Sequence, residues 1–144
     1  MSAAWAVLAF RSDRFRSGSD QATLTESAPP GRECAEWITR GFTRAGARVD
    51  PAEPIEGEGG WFIFGEVSDA RFEVFVQWAP LGEHASDHWI LQLRLKRSII
   101  ERMFREDAPS KLAEVSQIAE SAVREIPGAV GIRWLSEEEF RRLY

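Results

Sequence analysis

Three runs, Trp61-Phe-Ile-Phe-Gly-Glu-Val67, Arg71-Phe-Glu-Val-Phe-Val-Gln-Trp-Ala79 and His88-Trp-Ile-Leu-Gln-Leu-Arg-Leu-Lys96, decide how this chain folds. All are rich in aromatic and β-branched residues, and the first two flank the polar turn Ser68-Asp69-Ala70, which reads as a hairpin. With Asp69 and Ala70 as the two-residue loop, Val67 pairs with Phe72, Gly65 with Val74, Ile63 with Val76 and Trp61 with Trp78. That side of the sheet is wholly apolar. In the third run Trp89, Leu91, Leu93 and Leu95 alternate strictly with the other residues, the mark of one buried face. Extending the ladder sets Trp89 against Trp78, Leu91 against Val76, Leu93 against Val74 and Leu95 against Phe72. A slip of one residue would carry charges inside, so the register is well specified.

The reverse of this meander receives Phe62, Gln77 and Ile90 in one row, Phe64, Phe75 and Gln92 in the next, and Glu66, Glu73 and Arg94 in the last. It is neither a core nor an ordinary surface. Either another element covers its aromatic end or the protein exposes a binding patch there.

The remaining chain supplies helices to cover the apolar side. Ala3 to Phe10 is a short apolar segment read as an edge strand, with the first turns of a helix as the alternative; residues 11–30 read as a mobile loop with one short strand near Ala22 to Thr25. Arg11, Arg14 and Arg16 form a solvated basic cluster in that loop. A helix follows Pro29-Pro30, with Ser27 or Ala28 near its cap, and runs to about Ala45; Cys34, Trp37, Ile38 and Phe42 form its buried stripe. Glu36, Arg40, Arg44 and Arg48 recur every fourth residue on another face.

Asp50 to Gly60 reads as a linker, too short to separate two cores. Arg97 to Arg105, with Ile99, Ile100, Met103 and Phe104, fits two helical turns or an ordered loop packing back on the sheet edge. Asp107-Ala-Pro109 opens a second helix whose stripe is Leu112, Val115, Ala119, Ala122, Val123 and Ile126, ended by Pro127-Gly128. Ala129 to Leu135 is a last strand, joining the meander beside its first or third strand. Ser136 with Glu139 is a capping box for a short terminal helix, supported by Glu137 with Arg141 and Glu138 with Arg142. The order predicts a single α+β domain over residues 1–144, its two long helices packed on one face of an antiparallel meander sheet.

At 144 residues such a domain buries roughly two thirds of its unfolded surface. One cysteine excludes an internal disulfide, Met1-Ser-Ala-Ala-Trp5 lacks a signal-peptide pattern, and no apolar run reaches membrane-span length, so cytoplasmic residence is the expectation. The net charge of -5 argues against nucleic acid as a partner. Sixteen of the eighteen basic residues are arginine, the codon signature of a GC-rich bacterial genome.

No catalytic, metal or phosphate motif of any specificity is present. Glu66 and Glu73 facing each other beside Arg94 is the sharpest enzymatic idea, a carboxylate pair sharing a proton, but no nucleophile or oxyanion donor accompanies it. A neutralised surface trio is the simpler reading. Glu83, His84, Asp87 and His88 share one loop without a partner motif, so no metal is assigned. Gly57-Glu-Gly59-Gly60 precedes a strand instead of opening a helix and so makes no phosphate cradle. Cys34 lies on the buried stripe and reads as core. Of the six tryptophans, Trp37, Trp61, Trp78 and Trp89 are core by periodicity, while Trp5 and Trp134 fit a sheet edge.

The pattern Gly60-Trp-Phe-Ile-Phe64, Phe75-Val-Gln-Trp78, Trp89-Ile-Leu-Gln-Leu93, a second helix and Ile132-Arg-Trp134 resembles a group of small uncharacterised bacterial α+β proteins. In size, acidity and architecture it is similar to the immunity proteins that neutralise polymorphic or contact-dependent toxins. The resemblance spans Gly31 to Leu135, rests on aromatic placement and carries over no functional residue. It implies a non-enzymatic protein-binding module without cofactor that occludes a protein partner, with a basic toxin surface favoured by charge. The candidate contact residues are Phe62, Phe64, Phe75, Gln77, Ile90, Gln92, Glu66, Glu73 and Arg94. Two alternatives stand beside it: a small-molecule or hydrolytic site around Glu66, Glu73 and Arg94, and a structural homodimer through the mixed face.

Overall fold

The computed structural model describes residues 5–15, 29–79, 88–96 and 107–142. Among these are the strands β1 (Trp5–Arg11), β2 (Arg48–Val49), β3 (Ile55–Gly57), β4 (Gly60–Val67), β5 (Ala70–Trp78), β6 (His88–Leu95) and β7 (Val130–Leu135). The helices are α1 (Arg32–Arg44), α2 (Asp107–Arg124) and α3 (Glu137–Arg141). The strands form one antiparallel sheet in the order β2-β4-β5-β6-β1-β7, with β3 also paired to β4. The α+β class holds; the sheet is wider than the meander with its two flanking strands.

Between β5 and β6 the register is the one the alternation predicts, from Trp78 opposite Trp89 to Phe72 opposite Leu95. Between β4 and β5 it differs by two residues: Val67 faces Ala70, Gly65 faces Phe72, Ile63 faces Val74 and Trp61 faces Val76. The loop is Ser68-Asp69, both in the left-handed region at φ 49 and 64, the backbone of a tight hairpin whose twist matches its strands. Ala70, fully buried, therefore belongs to the ladder and not the turn. Because side chains alternate with a period of two, this shift leaves every residue on its expected face.

β1 is interior, not an edge: it lies between β6 and β7, so the last strand joins β1 and neither of the meander strands considered for it. Val7, Leu8, Ala9 and Phe10 are all buried, Leu8 and Phe10 in the core under the helices, Val7 and Ala9 in a second cluster on the reverse. A strand covered on both faces reads as an unbroken apolar run, and this one does.

α1 begins one residue after Gly31, which holds φ 113 and caps the helix without a side chain; a Cβ there would come within 3.0 Å of the Trp89 ring. The helix ends at Arg44, so Arg48 leaves the predicted every-fourth-residue stripe and sits on β2. Glu36 pairs with Arg32 at 3.7 Å, Arg40 stacks on Trp37 at 5.4 Å and Arg44 pairs with Glu125 beyond the end of α2. Arg14 of the predicted basic cluster pairs with Glu33 at 3.7 Å. The predicted linker contains β3, folded onto β4 through Glu58-Gly59 with Gly59 at φ 80. Pro51 and Pro54 separate β2 from β3, which breaks that sheet edge into two short pieces.

Cys34, Ile38 and Phe42 of α1 and Val115, Ala119 and Val123 of α2 bury the apolar sheet side, meeting Phe72, Val74, Val76, Trp89, Leu91 and Leu93. Phe42 stacks on Phe72 with centroids 4.7 Å apart. The predicted strand near Ala22 to Thr25, Arg16, the caps Ser27 and Ala28, the segment Arg97 to Arg105 and the loop with Glu83, His84 and Asp87 lie outside the described residues. Among the described residues no helix is long and apolar enough to cross a membrane.

Candidate functional site

The sheet face turned away from α1 and α2 is built by register. Phe62, Phe75, Gln92 and Val7 form one row, Phe64, Glu73, Arg94 and Trp5 the next, and Gln77, Ile90 and Ala9 a third; Arg48, Glu66 and Arg71 close one end. α3 divides this face. Its Ser136 cap accepts from the Glu139 backbone while Glu139 accepts from the Ser136 backbone, as the capping box predicts, and the Glu137–Arg141 and Glu138–Arg142 pairs both form at 2.7 Å. Phe140 packs over β1 and β6, sealing a small core of Val7, Ala9, Ala79, Ile90 and Leu135. Ile90 is thereby fully buried and drops out of the predicted contact surface.

The other half carries Phe62, Phe64 and Phe75, each half-buried and belonging to neither hydrophobic cluster. They hold one another instead: centroids lie 4.5 Å apart for Phe62–Phe75 and 5.7 Å for Phe62–Phe64. Gly57 and Gly60 make room for them, since a Cβ at either would overlap the Phe62 or Phe75 ring. Along the divide, Gln92 Nε2 donates to Gln77 Oε1 at 3.0 Å. An open cavity of about 500 Å³ between the two halves is lined by Trp5, Gln77, Gln92, Glu137, Phe140 and Arg141.

The charged end differs from the predicted trio. The register shift places Glu66 opposite Arg71 and Arg48, not opposite Glu73. Glu66 takes Arg48 at 3.0 Å and Arg71 at 4.0 Å. Glu73 lies opposite Phe64 and Arg94, and among the described residues no ion pair joins it to Arg94, whose guanidinium stacks on Trp5 at 5.4 Å. Lys96 sits over the Phe64 ring at 4.3 Å. The two carboxylates thus are not directly opposed across the strands, as the predicted trio required. A cavity of about 240 Å³ here is lined by Arg48, Asp50, Phe64, Gly65, Glu66, Arg71 and Lys96.

Other candidates resolve more simply. Burial, helped by the neighbouring Glu33 charge, pushes the Cys34 thiol far above its usual range, so it stays protonated and unreactive. Among the described residues no group of three or more His, Cys, Asp or Glu side chains gathers to hold a metal; His88 is in β6. Trp61 and Trp89 are buried and Trp37 and Trp78 partly so, while Trp134 is exposed and donates from Nε1 to Glu120 at 2.8 Å.

Sequence reasoning missed Trp5, Phe140, Arg48, Arg71 and Lys96 as members of this face. Lys96 and Arg71 follow from the strand alternation once the turn is placed; Trp5 and Phe140 require knowing that β1 lies beside β6. No protein family, curated protein or solved structure matches this chain.

Proposed function

We propose that this protein is a non-enzymatic protein-binding module whose contact surface is the open half of the far sheet face. One observation carries the reading: Phe62, Phe64 and Phe75 are left outside both cores and are bordered by Arg94 and Lys96, neither paired with a carboxylate among the described residues. An aromatic centre with a charged rim is the anatomy of a protein interface. The resemblance to immunity proteins suggests occlusion of a toxin domain as the biological use. At the patch itself Arg48, Arg71, Arg94 and Lys96 face Asp50, Glu66 and Glu73, so the complementary surface is apolar with acidic margins, despite the overall net charge of -5. A two-fold contact of two such faces is disfavoured because α3 stands on the face beside the patch.

The test is co-purification from the native host with wild type and a Phe64→Glu, Phe75→Glu double variant, each shown folded by circular dichroism. The reading expects a stoichiometric protein partner that the wild type retains and the double variant loses. Equal retention by the two overturns it, as does light scattering that shows self-association abolished by the same changes.

A further inference from the structure

We infer that the open half receives one acidic amphipathic helix of a partner protein, laid alongside α3 with an aromatic or large aliphatic anchor over Phe62 and Phe75. This rests on the protein-binding reading and specifies the partner element. The first support is α3 itself, a helix opening Glu137-Glu138-Glu139 and anchored on this sheet face by Phe140. The face therefore already seats one helical turn through an aromatic side chain, while the carboxylates of that turn pair with Arg133, Arg141 and Arg142.

The second support is size. From β6 across β5 to β4 is two strand spacings, about 10 Å, the diameter of one helix with its side chains. α3 walls one side of this trough through Glu137, Phe140 and Arg141, the 500 Å³ cavity lies along its foot, and the half-exposed Phe62 and Phe75 form its floor. The third support is charge: Arg94 and Lys96 are held on aromatic rings with no carboxylate in salt-bridge range among the described residues, Arg48 and Arg71 share Glu66, and the four cations of the patch outnumber its carboxylates Asp50, Glu66 and Glu73 by one. Carboxylates on the incoming helix would supply the missing partners, while its anchor buries against the rings.

The test uses the full chain and three synthetic peptides: a stapled helix with Phe at i and i+4 and Glu on its flanks, the same helix with Lys for Glu, and an unstapled version interrupted by proline. Backbone amide NMR reads both affinity and location. The inference expects saturable binding of the acidic helix, shifts confined to β4, β5, the Gln92–Lys96 stretch, Trp5 and α3, and weakening by about tenfold or more with Phe75→Glu and with the Arg94→Glu, Lys96→Glu pair. Absence of acidic-helix binding, equal binding of the lysine peptide, or binding unchanged by both variants overturns it. Preference for the proline-interrupted peptide at the same strands also overturns the helix while leaving the binding face intact; shifts located elsewhere for every peptide remove both readings.

Discussion

Phe140 of α3 meets the indole of Trp5 in β1 edge-on, with ring centroids 5.4 Å apart and planes at 81°. This contact joins the first described strand to the last described helix. Among the described residues it is Trp5 and Phe140 that pack against the buried far-face cluster of Val7, Ala9, Ala79, Ile90 and Leu135, whereas Phe62, Phe64 and Phe75 lie outside that cluster.

Replacing Phe140 by alanine therefore frees α3 from the sheet. The ring is half-buried, so the cost is about 1–2 kcal/mol, below the 3–5 kcal/mol of a fully buried phenylalanine. Urea unfolding measures the loss, and amide exchange at Ile90 accelerates in the variant while exchange at Leu91, on the opposite face, follows global stability.

The turn between β4 and β5 separates two registers by one substitution. With Asp69-Ala70 as the loop, Ala70→Asn would place a favoured turn residue in solvent. In the structure Ala70 is fully buried opposite Val67, and the same change buries an amide without a partner at about 1–3 kcal/mol. Chemical denaturation of this variant decides between them, and loss of stability is the expected result.

The faces of the meander were legible because strict alternation in Trp89 to Leu95 admits one parity, and parity survives a two-residue slip. The slip itself was not legible: Ser68 at φ 49 is not a residue whose type announces a left-handed turn, unlike glycine or asparagine. It was enough to dissolve the Glu66–Glu73 pair. α3 was readable from Ser136 and Glu139 alone, since a capping box is local. Its docking was not, because Phe140 finds Trp5 only after β1 inserts beside β6, a pairing of distant segments that leaves no local pattern. Arg48 looked helical by spacing; Gly46, at φ 95, ends that helix first.

Helix packing rests on Gly41 of α1, whose missing side chain lets Ala122 of α2 approach. Alanine there improves intrinsic helix propensity by about 1 kcal/mol. Its Cβ would lie 2.4 Å from the Ala122 Cβ and 3.2 Å from the Cα, so a helix backbone must move, and overpacking of this kind costs about 1–3 kcal/mol. The clash prevails, and Gly41→Ala lowers Tm. Adding Ala122→Gly recovers part of the loss in a double-mutant cycle, which a purely local effect at Gly41 would not show.

Acid weakens α3 through Glu139. The Ser136 backbone N–H, then the Ser136 side chain, then Arg133 and Arg142 hold this carboxylate below its ordinary value of 4.5. A lowered folded value means the contribution is complete above the ordinary value and disappears as pH falls below it through the depressed one. The side chain is fully exposed, so the effect is confined to α3 and leaves global unfolding nearly unchanged. The Phe140 ring resonances, shifted by Trp5, report docking directly, and in the wild type they move toward free-helix positions across that acid window. Glu139→Gln keeps an oxygen for the Ser136 N–H and has no proton to gain there, so its resonances move less over the same range. Coincident titration curves for the two proteins would show that the capping carboxylate does not govern the docking of α3.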